Sequence, residues 1–174
     1  MIMAPLAALL VSISVSISAL MGQPGRQPAA LSAGLRLGAP VATLSIPRVH
    51  FDGLAHQGIA ATVLALGPGH YPSTALPGQP GTTAFAGHRV THTHPFLDIN
   101  LLRRGDVITV TTRWGRFRYR VYREQIVLPS DVSILRNIGY QQLVLTACHP
   151  PHTALERYVV FARRIMSRRA QNPA

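Results

Sequence analysis

The sequence predicts a mostly β chain, built as a small barrel or sandwich. Three observations predict it. Short β-type segments separated by Pro- and Gly-rich turns fill the chain from Val41 onward. One segment, Arg116 to Val121, alternates well between charged and apolar residues. Helical stretches are few, and no internal repeat is present.

The elements follow in order. "VATLSIPRV" reads as a strand with a proline near its end, and "IAATVLALG" as a short helix or a strand. "GPGHYPSTALPGQPG" is dense in proline and glycine and reads as loop and turn. "TTAFAGH" reads as a buried strand ending at Gly87. "DVITVTT" and "RFRYRVYREQIV" flank "RWG" as a β-hairpin. In its second arm Phe117, Tyr119 and Val121 share one face, while Arg116, Arg118 and Arg120 share the other. That arginine row is either a solvated face or a contact surface for anionic groups. "PSDVSILRNIG" suits a short helix capped by Ser130 or Asp131. "QLVLTAC" and "RYVVFARRI" are the two final strands.

The chain of 174 residues has room for one domain and a short appendage. A domain of ~130 residues buries a sound core without cross-links. A single cysteine excludes an internal disulfide. All 17 basic residues are arginine, against six acids, for a net charge of +11. Such a chain is drawn to nucleic acid, acidic lipid headgroups or phosphate-bearing polymers. The N-terminus narrows that choice. Residues 1–22 carry no charged side chain, and about 20 apolar residues span a bilayer. They read as a signal anchor or a signal peptide. Residues 23–40, rich in Pro, Gly and Ala, read as a linker, 41–168 as the folded domain and 169–174 as a tail. A membrane segment argues against nucleic acid as partner. "RWGRFRYRVYR" interleaves arginine with aromatics as single-strand binders do, but no helical reading motif accompanies it.

Chemistry centres on "LTACHPPHTALER". Cys148 ends an apolar strand, where a side chain can face a cleft, and His149-Pro150-Pro151 breaks the strand after it. A strand cysteine is commonly an inert hydrophobe. It becomes a nucleophile when neighbours stabilise its thiolate. Arg157 opens the next strand and can return beside Cys148 to hold an oxyanion. His88 closes another buried strand, a position suited to acid–base work. The competing reading is zinc, with His88, His92, His94, Cys148, His149 and His152 as donors. A second cysteine and nearby acids are missing from that pattern, and no metal or other cofactor is expected.

On these residues the chain resembles the sortases, the cysteine transpeptidases of the bacterial surface. "LSIPRV" is similar to the family's first barrel strand. "GPGHYPSTALPGQPGTTAFAGHR" resembles the segment leading to the catalytic histidine, particularly that of class E. "PFLDINLLRRGDVITV" resembles the segment after it, and "LTACHP" with the following "ER" resembles the nucleophile strand and catalytic arginine. The resemblance implies an eight-stranded β-barrel. It implies Cys148 as nucleophile, His88 as general acid and then base, and Arg157 as oxyanion or backbone clamp. It implies a Thr–Gly bond cleaved in a signal of the form Leu-Ala-x-Thr-Gly, and an acyl-thioester passed to an amine of the wall or a pilin. Partners would be surface proteins bearing a C-terminal sorting signal, with the domain on the outer membrane face. Tyr71, Thr146 and Ala147 are the expected substrate-binding residues.

One departure stands out. The family pattern Thr-Leu-x-Thr-Cys is here Val144-Leu145-Thr146-Ala147-Cys148. A threonine beside the nucleophile can donate a hydrogen bond near the reacting carbonyl. Its loss at Ala147 is expected to cost a few kcal/mol, roughly, of transition-state stabilisation. A catalytically weak barrel that binds anionic wall or lipid groups is therefore the alternative reading.

Overall fold

Alternation builds the wall of the structure. In β6, Gly115–Val127, Phe117, Tyr119 and Val121 are buried while Arg116, Arg118 and Arg120 are exposed, as the sequence pattern requires. The same period places Leu44 and Ile46 of β1, Pro40–Ile46, and Ile108 and Val110 of β5, Val107–Thr112, on the inner side. Burying each of these side chains contributes about 1.5–3 kcal/mol. A one-residue slip in register would turn each row outward.

The computed structural model describes residues 34–166. The other strands are β2, Phe51–Gln57; β3, Gly69–His70; β4, Thr82–Ala86; β7, Gln142–His149; and β8, Glu156–Arg164. They close into a barrel of order β1-β2-β3-β4-β7-β8-β6-β5. The pairs β2–β3 and β4–β7 are parallel, and the remaining pairings are antiparallel. An eight-stranded barrel is just wide enough for its own side chains to fill. Phe85, Phe96, Tyr119, Leu143, Leu145 and Val160 are among those that fill this one.

A second, smaller core lies outside the wall. Ala84, Val144, Val159 and Phe161 face outward from β4, β7 and β8 and meet Val127, with Tyr71, Ile134 and Leu135 packed over them. This cover explains why β7 reads as a largely apolar strand, since its centre is buried on both faces.

Several elements refine the sequence reading. "IAATVLALG" contains the four-residue helix α1, Ala61–Leu64. The capped helix is a 3-10 turn at Val132–Leu135, with the Asp131 carboxylate accepting from the Ser133 N–H at 3.0 Å. β2 was not anticipated. "FDGLAHQ" has no clean alternation, and its place is set by pairing with β1 and β3. β3 falls within the stretch read as loop. The barrel also begins earlier than Val41. Gly38 N–H donates to Gln57 O, and Pro40 pairs with His56, so the last residues read as linker belong to the sheet. The 1–22 segment and the 169–174 tail lie outside the described residues. Among the described residues no helix is long and apolar enough to cross a membrane.

Candidate active site

Three adjacent strand ends bring the expected triad together. β4 and β7 run parallel, with Ala86 paired to Thr146, and Gly87 N–H donates to Thr146 O at 3.0 Å. His88 lies two residues beyond that last pair, past the end of β4, and Cys148 lies two residues beyond it on β7, which runs on to His149, so the register carries the two chains forward together. On the other flank β8 runs antiparallel, and Cys148 is the direct register partner of Arg157. Opposed residues in such a ladder have Cβ atoms about 5 Å apart on one face. Cys148 thus sits between a histidine and an arginine.

Gly87 permits the approach on the histidine side. A Cβ at this position would overlap the Phe96 ring, which is buried in the barrel core. The same phenylalanine donates its N–H to His88 O at 3.1 Å. The His88 ring is therefore delivered to the rim by backbone contacts.

His88 is partly buried, and its Nε2 is shielded from solvent without a hydrogen-bond partner. Its ring stacks on His92, with centroids 4.7 Å apart and planes 19° from parallel. Burial, and then the neighbouring His92, push its pKa below the ordinary imidazole value. His92 itself has φ +53°, in the left-handed region that side chains rarely adopt. An unpartnered Nε2 is the group that can exchange a proton with a reacting amine.

Arg157 is half-buried and oriented by its own loop. Its Nη1 donates to Ala154 O at 3.1 Å and Glu156 O at 2.9 Å. Nε and Nη2 have no protein partner among the described residues. Two such donors in a fixed fork suit an oxyanion or a peptide carbonyl. Cys148 is a free, half-buried thiol.

Strand alternation sorts the residues near the nucleophile. Leu143, Leu145 and Ala147 point into the barrel core, whereas Val144 faces the outer core and Thr146 and Cys148 share its side. Thr146 Oγ1 lies 3.0 Å from the Tyr71 hydroxyl, so these two expected substrate residues meet on the nucleophile's face. Ala147 does not join them. It is 2% exposed and packs in the barrel core, on the face opposite Cys148. A side chain at position 147 therefore points to the side of the strand away from the thiol.

The six candidate metal donors do not assemble. Among the described residues no three His, Cys, Asp or Glu side chains form a group able to hold a metal ion. His149 instead accepts from the buried Arg89, Nη1 to Nδ1 at 3.0 Å. Sequence reasoning did not single out Arg89, although its place directly after His88 was a usable signal.

The chain is 29% identical to Sortase D of Bacillus subtilis (strain 168) over 126 residues, 70% of this chain and 62% of that protein. It is 34% identical to Sortase SrtE1 of Streptomyces coelicolor over 150 residues, 75% of this chain and 42% of that protein. It therefore spans less than two thirds of the length of either relative. Sortase E from Streptomyces avermitilis superposes with a TM-score of 0.68 at 31% identity, over 79% of this chain and 97% of that one. Residues 44–165 match the sortase domain model, and with a closed eight-stranded barrel and a Cys–His–Arg rim in place, the chain belongs to the sortase family.

Proposed function

We propose that this chain is a sortase-type cysteine transpeptidase that cleaves a Thr–Gly bond in a Leu-Ala-x-Thr-Gly-like signal. The observation that carries the reading is Cys148 placed between its register partner Arg157 and the strand-end His88. The Cys148 thiolate attacks the threonine carbonyl carbon, and the Arg157 guanidinium faces the oxygen that takes up the negative charge. The tetrahedral adduct collapses as His88 Nε2 gives its proton to the departing glycine nitrogen. An acyl-thioester remains on Sγ. An incoming amine then attacks it, His88 takes the amine's proton, and the thiolate leaves as the new amide forms.

The low proton affinity of His88 sets a condition on this cycle. The competent form has a protonated imidazole beside a thiolate, so its population depends on how the two titrations overlap. A bell-shaped pH–rate profile is the expected consequence.

Tyr71 and Thr146 shape the groove that receives the residues before the scissile bond, and the second position of the signal is assigned to Tyr71. Residues 1–22 hold the domain at the outer membrane face. Surface proteins with C-terminal sorting signals are the donors, and an amine of the wall or of a pilin is the acceptor. No cofactor enters the chemistry.

The test uses the full chain in detergent with Leu-Ala-x-Thr-Gly and Leu-Pro-x-Thr-Gly peptides and a glycine-type amine. Mass spectrometry should find an acyl adduct on Cys148 and the transfer product, both absent in Cys148→Ala. A readily alkylated thiol that never acquires an acyl group would overturn the proposed signal.

One observation favours a second reading. Arg120 and Arg163 are direct cross-strand partners, like charges that repel across β6 and β8. With Arg116 and Arg118 they form an exposed cationic face suited to anionic wall or lipid groups. An inert Cys148 thiol together with tight binding to anionic vesicles would favour that barrel over the enzyme.

A further inference from the structure

We propose that Arg89 and His149 form a positioning latch that fixes the relative placement of His88 and Cys148, and that the latch holds only while His149 is neutral. The inference rests on the transpeptidase reading for its kinetic consequence and on geometry for the latch itself.

Arg89 immediately follows His88, and His149 immediately follows Cys148. Arg89 is only 5% exposed. Its Nη1 is 3.0 Å from His149 Nδ1, its Nε donates to Leu97 O at 3.2 Å, and its Nη2 donates to Asn100 Oδ1. Its Cζ lies 5.9 Å from the centroid of the Tyr158 ring. No carboxylate pairs with it among the described residues. Burying a cation is costly, and apolar residues of similar volume commonly serve stability equally well. A buried arginine satisfied wholly by neutral acceptors from separate segments is poorly explained by packing alone. What it uniquely does here is join the end of β4, the 97–100 segment and the end of β7.

The chemistry of the central bond fixes the state of His149. Guanidinium nitrogens only donate, so Nδ1 must offer a lone pair. His149 is then neutral, with its proton on Nε2. A proton on Nδ1 would remove the acceptor and set two cations face to face. The groups around the ring are Arg89 from beyond β4, Tyr158 of β8 at 5.9 Å between centroids, and Glu156, its register partner on β8. Acid therefore releases the latch, and the two strand ends lose the tie beside the reacting groups.

The experiment compares full-length wild type, His149→Leu and His149→Asn. Asparagine can place Oδ1 near the position of Nδ1, which keeps an acceptor without a titrating group. Transfer kinetics are read as kcat and KM between about pH 5 and pH 8, with melting temperature as a control. His149→Leu should lower kcat about tenfold with KM changed less than about twofold, since misplacement acts on the reacting atoms rather than on remote binding. His149→Asn should recover most of that loss and should lack one protonation step on the acid limb. A His149→Leu enzyme with wild-type kcat, whatever its melting temperature, overturns the proposal. So does an acid limb in His149→Asn identical to that of wild type. If wild type transfers no peptide, the transpeptidase reading fails separately. The latch is then read from the pH dependence of Cys148 alkylation by iodoacetamide, which His149→Leu should alter and which must differ from wild type for the latch to stand.

Discussion

Cys148 and Arg157 face each other directly across the β7–β8 ladder, eight residues of intervening chain returning the arginine to the thiol. Arg157 hydrogen-bonds backbone carbonyls of that return loop through Nη1 alone. Its placement is thus built into a sheet register and a local loop. Lysine at this position keeps the charge but loses the fork. Arg157→Lys should lower kcat for transfer about 10²-fold, in the range of a lost oxyanion donor. Iodoacetamide should still alkylate Cys148 in that variant. Unchanged kcat in stopped-time transfer assays would remove Arg157 from the reaction.

The Tyr71 hydroxyl and Thr146 Oγ1, 3.0 Å apart, tie the turn-rich loop to the nucleophile strand. Removing one partner leaves the other short of a bond in a partly buried setting. Tyr71→Phe and Thr146→Val should each cost about 1 kcal/mol in urea unfolding, and the double variant should cost less than their sum. Tyr71→Phe should also change the ratio of kcat/KM between Leu-Ala and Leu-Pro signals. Strict additivity of the two stability losses would show that the hydroxyls do not interact.

His92 stacks on His88 and contributes, after burial, to its lowered pKa. Deleting the ring both exposes His88 and removes a competing positive charge. Each effect favours the protonated imidazole, so the His88 pKa should rise in His92→Ala. NMR titration of the His88 ring protons reads this directly. The limb of the pH–rate profile governed by His88 should move to higher pH in the same variant. A titration curve superimposable on wild type would show the stack to be electrostatically idle.

His70 gives the fold its own pH dependence. It is 1% exposed, its Nδ1 lies 2.8 Å from Gln57 Oε1, and burial lowers its pKa from 6.5 to about 4. The unfolded chain therefore binds this proton more readily than the folded one. Stability is full above about pH 6.5 and falls as the pH drops toward 4. The span corresponds to about 3 kcal/mol, as an order of magnitude. Urea unfolding at pH 7 and pH 4.5 should show a marked drop in wild type. His70→Gln should start lower, having lost buried bonds, but should lose less between the two pH values. An equal loss in both proteins would assign the acid sensitivity to other groups.

Much of this protein was determined by the sequence itself. The period-two rows of β1, β5 and β6, the largely apolar run of β7 and the turn residues between them specify a β structure, because each strand must bury one face or two. The three rim residues drew notice because His88 and Cys148 stand where apolar runs end and Arg157 stands where one begins. Other features came only from tertiary structure. β2 has little strand pattern of its own and exists by pairing on both sides. The inward turn of Ala147 follows from strand phase, which neighbours in sequence do not reveal. The Arg89–His149 bond and the Tyr71–Thr146 bond join residues 60 and 75 positions apart. Contacts at that separation are decided by which strands lie side by side, and the parallel pairing of β4 with β7 decided it here.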